Sequence, residues 1–339
     1  MINRRTSMLG TAAVLTAGVV RTGHAADDGL VERAKAEGEV TFYTSADTLN
    51  AEAVAAGFKG KYGINVKLFR AGGSQIAQKL TLELRSRRLE ADVTEMSDPT
   101  MLTILFRQGA VDPYEAANAS VLPADFRHPK NAWYGTAFIF MHLIVNKNLV
   151  TTADEPKSWA DIADPKWKGK LVWGSPNYGS SQYATVKGLI ELHGWDLIEK
   201  MKANETMMIQ GWPEAENAVS SGERLVGGDA SGRSFRALAW GAPLRNIYPS
   251  DGAIVALGAI SVMKPARHPN AARLLVEYVL SVEGQSTYAK NFVYPVRPDV
   301  PAGGNLVPLK DVKLHTINYE EAVDQHDEIV RRWTQLMER

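Results

Sequence analysis

The first third of the chain alternates short apolar runs with polar turns and amphipathic stretches. Residues 40–43 (VTFY) predict a strand, residues 45–47 a turn with a helix cap, and LNAEAVAAGFKGKYG the helix that follows. Residues 64–69 (INVKLF) alternate apolar and polar side chains as a half-buried strand does. Gly72 and Gly73 then break the strand, and Ser74 is placed to cap a helix through QIAQKLTLELRSRR. Residues 91–95 form the next strand, which ends in Met96, Ser97 and Asp98. The order strand, helix, strand, helix, strand predicts an α/β fold with a largely parallel sheet.

Residues 137–145 (AFIFMHLIV) are continuously apolar and predict a fully buried strand, with a second lobe beginning about here. Residues 170–173 are the next strand, leading through Gly174, Ser175, Asn177 and Ser180 into an amphipathic helix. WPEAENAVSSGE predicts a further helix, followed by GERLVGGDASGRSFRAL, in which Arg233 and Arg236 stand three apart. Residues 253–263 (AIVALGAISVM) are strand-like, and HPNAARLLVEYVLSVEGQSTYAKN reads as one long amphipathic helical region. The last segment, NYEEAVDQHDEIVRRWTQLMER, is helical by the spacing of Val323, Ile329, Val330, Trp333 and Leu336.

In open α/β sheets, ligands meet the chain beyond the carboxyl ends of strands. The polar turns at 44–47, 72–75 and 97–98 therefore point to one edge. Taken singly, each is equally an ordinary cap or turn.

Composition narrows the function class. The chain starts with Arg4 and Arg5, an uncharged run over 8–20 and small residues at Gly23 and Ala25, the layout of an export signal cleaved near Ala25. The paired arginines permit twin-arginine export, but Ser7 stands where that motif usually carries a bulky apolar residue, which favours the general secretory route. Loss of residues 1–25 removes three arginines and leaves 35 basic against 38 acidic residues, a net charge of −3. Nothing in that balance points to nucleic acid or an anionic membrane. With no cysteine, stability must come from core burial, and neither a disulfide nor a thiol nucleophile is available.

Catalytic signatures are missing from the sequence. His128, His142, His193, His268, His315 and His326 include no pair at the three- or four-residue spacing that sets a metal between helical turns. His142, in the most apolar strand, reads as a core or hinge residue. VGGDAS, residues 226–231, suggests a nucleotide loop but lacks the lysine that such a loop requires.

The segments GEVTFYTSAD, FRAGGSQIAQKL with ADVTEMSD, PKSWADIADPKWKGKL, AVSSGE and DGAIVALGAISVMKPARHPNAARLLVEYVLSVEGQ carry a resemblance. Over residues 38–291 the chain resembles the periplasmic solute-binding proteins of ABC importers, in the branch that includes ferric-ion-binding proteins. The resemblance implies a type II periplasmic binding protein fold: two α/β lobes joined by crossing strands, with the ligand in the cleft between them. It places lobe 1 over residues 26–135, lobe 2 over 136–250, a return to lobe 1 over 251–305, and a C-terminal helical segment over 306–339 packed on lobe 2. It implies a monomer in the periplasm that performs no chemistry and needs no cofactor. Its partners are then a small-molecule ligand and an inner-membrane permease with a cytoplasmic ATPase.

Iron-binding members hold the metal with a histidine after the first strand, a glutamate after the third and an adjacent tyrosine pair in the second lobe. By register, Asp47 stands near the histidine position, Ser97 and Asp98 near the glutamate, and Ser231 and Gly232 in place of the tyrosines. Serine and glycine supply no phenolate, the hard anionic donor that ferric iron needs. The implied cargo is therefore an organic or oxyanion solute such as a carboxylate, phosphate ester or phosphonate. Candidate contacts are Ser45, Asp47, Gly73, Ser74, Ser97, Asp98, Ser175, Asn177, Ser180, Trp212, Asp229, Ser231 and Arg233. Arg233 suits a bidentate anion clamp or, alternatively, a surface ion pair. Trp212 suits stacking on an organic group or anchoring a core. Asp98 and Asp229 suit an ammonium group. Ferric iron with unusual ligands, a ligand-loaded sensor and an enzyme on the same fold are the competing readings. The thiamine-degrading enzymes of similar architecture need a cysteine that this chain lacks.

Overall fold

The computed structural model describes residues 28–304 and 306–339. The export segment expected over 1–25 lies outside the described residues.

The chain begins with α1 (Asp28–Glu37), β1 (Glu39–Thr44), α2 (Thr48–Tyr62), β2 (Asn65–Arg70), α3 (Gly73–Arg85), β3 (Val93–Met96) and α4 (Thr100–Arg107). It crosses on β4 (Tyr134–Asn146) and continues through β5 (Leu171–Gly174), α5 (Ser180–Ala203), β6 (Met207–Ile209), α6 (Trp212–Ser221), β7 (Val226–Ala230), α7 (Ser231–Ala239) and β8 (Leu244–Ile247). It crosses back on β9 (Ala253–Val262) and ends with α8 (Pro269–Leu280), α9 (Val282–Lys290), β10 (Leu314–Thr316) and α10 (Tyr319–Met337).

The sheet runs β2-β1-β3-β9-β4-β7-β5-β6, with β10 on β9 and β8 on β4. Its outer strands pair in parallel: β1 with β2 and β3, and β5 with β6 and β7. The centre is antiparallel, because β4 and β9 run against each other and against β7 and β3 respectively. The largely parallel sheet expected from the sequence therefore holds within each flank and fails where the two long strands cross.

Two apolar cores meet along these strands. The first gathers Phe42, Phe58, Leu274, Tyr278 and Tyr288, and the second Trp159, Trp173, Tyr183 and Trp333. Along β4, Tyr134, Phe138 and Phe140 belong to the first core and Met141, Leu143, Ile144 and Val145 to the second. In β9, Val255 and Leu257 face the first core while Ile254 and Ala256 face the second. Both faces of these strands are thus buried, which explains their unbroken apolar sequence. His142 sits at this crossover with no exposure, its Nε2 2.9 Å from Ser234 Oγ. Burial pushes its pKa down to about 4, so it is a neutral core residue.

Three local expectations change. Gly72, not Ser74, is the N-cap of α3. The helical region after Pro269 is two helices, because the Ser281 side chain accepts from Gly284 N and caps α9 anew. Finally, α10 buries Ala322, Val323, Ile329, Trp333 and Met337, whereas Val330 and Leu336 remain only partly covered. Its packing also reaches beyond the second core, since Arg107 of α4 pairs with Glu320 at 2.7 Å and Asp324 at 2.6 Å.

Candidate functional site

Between the two cores lies a cleft of about 290 Å³. Its walls are helix beginnings. On the first-lobe side they are the N-termini of α2 (Ala46, Asp47) and α3 (Gly72, Gly73). On the second they are those of α5 (Gly179, Ser180, Ser181), α6 (Gly211, Trp212, Pro213) and α7 (Ala230, Gly232, Arg233). The first-turn amides of a helix have no partner within the helix, and the macrodipole places positive potential there. Gly72, Gly179, Gly211 and Ala230 are the N-caps of α3, α5, α6 and α7, so none carries a side-chain oxygen to satisfy those amides. Of these five helices, α2 alone has an N-cap side chain that accepts from its first turn, Asp47 Oδ1 from Asn50 N at 3.2 Å.

The strand ends reach this edge because each parallel strand runs toward it and turns into a helix. Ser45 and Ser97 interlock there: Ser97 N donates to Ser45 Oγ at 2.8 Å, and the two hydroxyls are 3.1 Å apart. The floor is Glu95, which is 3% exposed and accepts from Thr44, Thr136 and Tyr288 hydroxyls, each at 2.7 Å. Burial raises its pKa against these three donors.

The fixed charges around the cleft are mostly paired. Arg236 Nη1 lies 2.7 Å from Asp47 Oδ2 across the two lobes. Arg233 Nε lies 3.4 Å from Glu216 Oε2 without completing a hydrogen bond to it. Beneath them Asp229 is fully buried, with Oδ2 unpartnered, and its pKa is pushed well up, first by burial and then by the Glu216 carboxylate. Arg70 also lines the cleft, its Nε donating to Ala46 O at 3.1 Å. The charged side chains lining the cleft are Asp47, Glu95 and Glu214 against Arg70 and Arg233, and the converging helix N-termini add positive backbone potential at the same place.

Of the sequence-based candidates, Ser45, Asp47, Gly73, Ser97, Ser180, Trp212 and Arg233 line the cleft. The rest are elsewhere. Ser74 and Asp98 border a small adjoining cavity of about 20 Å³ that shares Gly73, Gly179 and Ser180 with the cleft. Ser175 and Asn177 turn away to the end of α10, where both donate to Glu338. Asp229 is buried under the wall. Ser231 is used internally, its Oγ accepting from Phe140 N at 3.3 Å. Trp212 combines both readings made of it: it lines the cleft while its ring packs edge-on to Trp173 and its Nε1 donates to Ser181 Oγ at 3.0 Å. Residues the sequence did not single out also line the cleft, among them Glu95, Tyr178, Gln182, Gln210 and Tyr288. Position 232 is tight, since a Cβ there would lie 3.0 Å from the Phe292 carbonyl.

Comparison with known proteins fits this geometry. The family described as bacterial extracellular solute-binding protein matches residues 90–324. The Fe(3+)-binding periplasmic protein of Serratia marcescens is 26% identical over 327 residues, covering 91% of this chain and 92% of its own. Among solved structures, the periplasmic binding protein AfuA from Actinobacillus pleuropneumoniae, with exogenous fructose-6-phosphate bound, superposes with a TM-score of 0.82 at 22% identity. That match covers 88% of this chain and 98% of AfuA. Iron-bound HitA from Pseudomonas aeruginosa gives 0.78 at 23% identity, covering 87% and 99%. These likenesses establish the fold as the two-lobed, type II periplasmic binding protein architecture expected from the sequence.

Proposed function

The chain belongs to the bacterial extracellular solute-binding proteins, the substrate-binding components of ABC importers, and from that premise we propose that its cargo is a small oxyanion-bearing solute. A phosphate ester, a phosphonate or a carboxylate fits that description. The observation that carries this reading is the convergence of four helix N-termini, each with a glycine or alanine at the N-cap, on one cleft drawn from both lobes. Backbone amides at such ends bind oxyanions without a formal counter-charge. Arg233 and Arg70 add charge-assisted donors, and Gln182, Gln210 and the Trp212 face remain for the body of the solute. The volume, near 290 Å³, sits at the small end of the range for ligand sites.

Because both lobes supply walls, the solute favours the closed arrangement, and β4 and β9 are the hinge about which the lobes swing. In this reading the leader over 1–25 directs export to the periplasm, where the protein works as a monomer and passes its cargo to a permease with a cytoplasmic ATPase. Ferric iron is the ion named for the Serratia relative, and iron is the ion bound in the HitA structure. Ser231 and Gly232 carry no phenolate oxygen, the hard anionic donor that ferric iron needs, which favours the oxyanion.

A thermal-shift screen across inorganic phosphate, hexose phosphates, phosphonates, carboxylates, polyamines and ferric iron tests the proposal, since a ligand that binds only the native state raises apparent stability. We expect the shift among the oxyanions. A shift confined to ferric iron, with a visible charge-transfer band, overturns the oxyanion reading, and turnover of any solute overturns the binding-protein reading.

A further inference from the structure

The loop from Ser175 to Gly179 joins β5 to α5, and its last residues form part of the cleft wall. Its base is held by the far end of the chain. Ser175 Oγ donates to Glu338 Oε1, and Asn177 Nδ2 donates to Glu338 Oε2 at 2.9 Å and to Thr334 Oγ1 at 2.8 Å. The first turn of α5 is tied to the same helix, because Tyr183 OH donates to the Ala322 carbonyl and the Tyr183 ring lies 4.7 Å from that of His326. The other side of α10 is anchored on lobe 1 through the Arg107 pairs with Glu320 and Asp324.

Glu338 is exposed and sits at the C-cap of α10. An acid there opposes the helix dipole. A residue that breaks a local rule needs an offsetting contact, and here that contact is the pair of hydrogen bonds to the loop.

We propose that Glu338 is a positioning residue for the ligand site: it fixes the loop that presents the N-terminus of α5 to the cleft. Through α10, the same clasp links that helix end to lobe 1. The part of this inference that concerns binding rests on the oxyanion reading; the part that concerns the loop does not.

The test compares Glu338→Ala and Glu338→Gln with the wild-type full-length mature chain by amide hydrogen exchange and by calorimetric titration with inorganic phosphate. Loss of hydrogen bonds to a charged group predicts about tenfold faster exchange over residues 176–182 in Glu338→Ala. The glutamine variant, which keeps one acceptor, falls between. Phosphate affinity drops in the same order while the melting temperature barely moves, as suits an exposed side chain. Unchanged exchange over the loop overturns the proposal, and so does acceleration spread through both lobes, which signals general destabilisation. Selective acceleration with unchanged phosphate affinity overturns the link to binding. If phosphate fails to bind the wild type, the oxyanion reading loses support, and the exchange data still decide the clasp.

Discussion

Asp98→Asn isolates the energetics of a carboxylate that the fold buries without a counter-charge. Asp98 has no exposure; its Oδ1 accepts from Thr100 N at 2.9 Å, and its Oδ2 lacks a partner. Burial pushes its pKa up to about 7 from an ordinary value of 3.8. The folded state thus holds the proton more tightly than the unfolded state. The sign follows: the neutral acid's contribution is fully present below the unfolded value and is lost as pH rises through the folded one. A shift of about 3 units corresponds to roughly 4 kcal/mol of stability lost between pH 4 and pH 8. Asparagine keeps the oxygen that accepts from Thr100 N but carries no titrating proton. Other carboxylates, Glu95 included, are common to both proteins and cancel in the difference. Urea denaturation of both proteins at intervals from pH 4 to pH 8 reads the effect. Asp98→Asn should gain on the wild type by a few kcal/mol across that range, with most of the change between pH 5 and pH 7. Parallel stability profiles would refute the argument by showing that Asp98 is solvated or paired in the folded protein.

Other perturbations separate closure from folding. In Gly72→Ala the added Cβ would lie 2.6 Å from the Tyr178 carbonyl of the opposite lobe. We expect ligand affinity to fall about tenfold or more, with a larger radius of gyration in X-ray scattering and little change in melting temperature. Arg236→Ala removes the 2.7 Å pair with Asp47 across the lobes. It should weaken binding several-fold and reduce its salt dependence, as titrations at two ionic strengths will show. Glu95→Gln replaces a carboxylate on which three hydroxyls converge by a group with one acceptor oxygen and a donor. Urea denaturation at neutral pH should show a loss of about 1–3 kcal/mol.

The scaffold was legible in the sequence wherever local pattern decides structure. A short β-prone run gave β1, alternation gave β2, and the continuous apolar runs gave β4 and β9, because strands buried on both faces leave no polar positions. The polar residues after those strands followed from topology alone: Ser45, Gly73 and Ser97 sit at equivalent strand ends, and all three line the cleft. What stayed hidden depends on contacts distant in sequence. Nothing near Ser175 or Asn177 announces that their partner is Glu338, more than 160 residues away. Glu95 reads as one polar residue in a short strand until Thr136 and Tyr288 arrive from other elements. Asp229 and Ser231 lie in the VGGDAS segment, which by sequence suggests a nucleotide loop without its lysine. The fold instead makes it the last residues of β7 and the start of α7, where the side chains of both point inward. The boundary between α8 and α9 was missed because the amphipathic pattern continues across Ser281, while the backbone obeys the cap.

The central claim is that an oxyanion sits between the lobes at the converging helix ends, with Arg233 reaching it. Calorimetric titration of the best oxyanion from the thermal screen into wild type and Arg233→Ala tests this most directly. Loss of a charge-assisted donor to a bound anion predicts roughly 10- to 100-fold weaker binding, with the fold retained. Equal affinity for the two proteins would contradict the account.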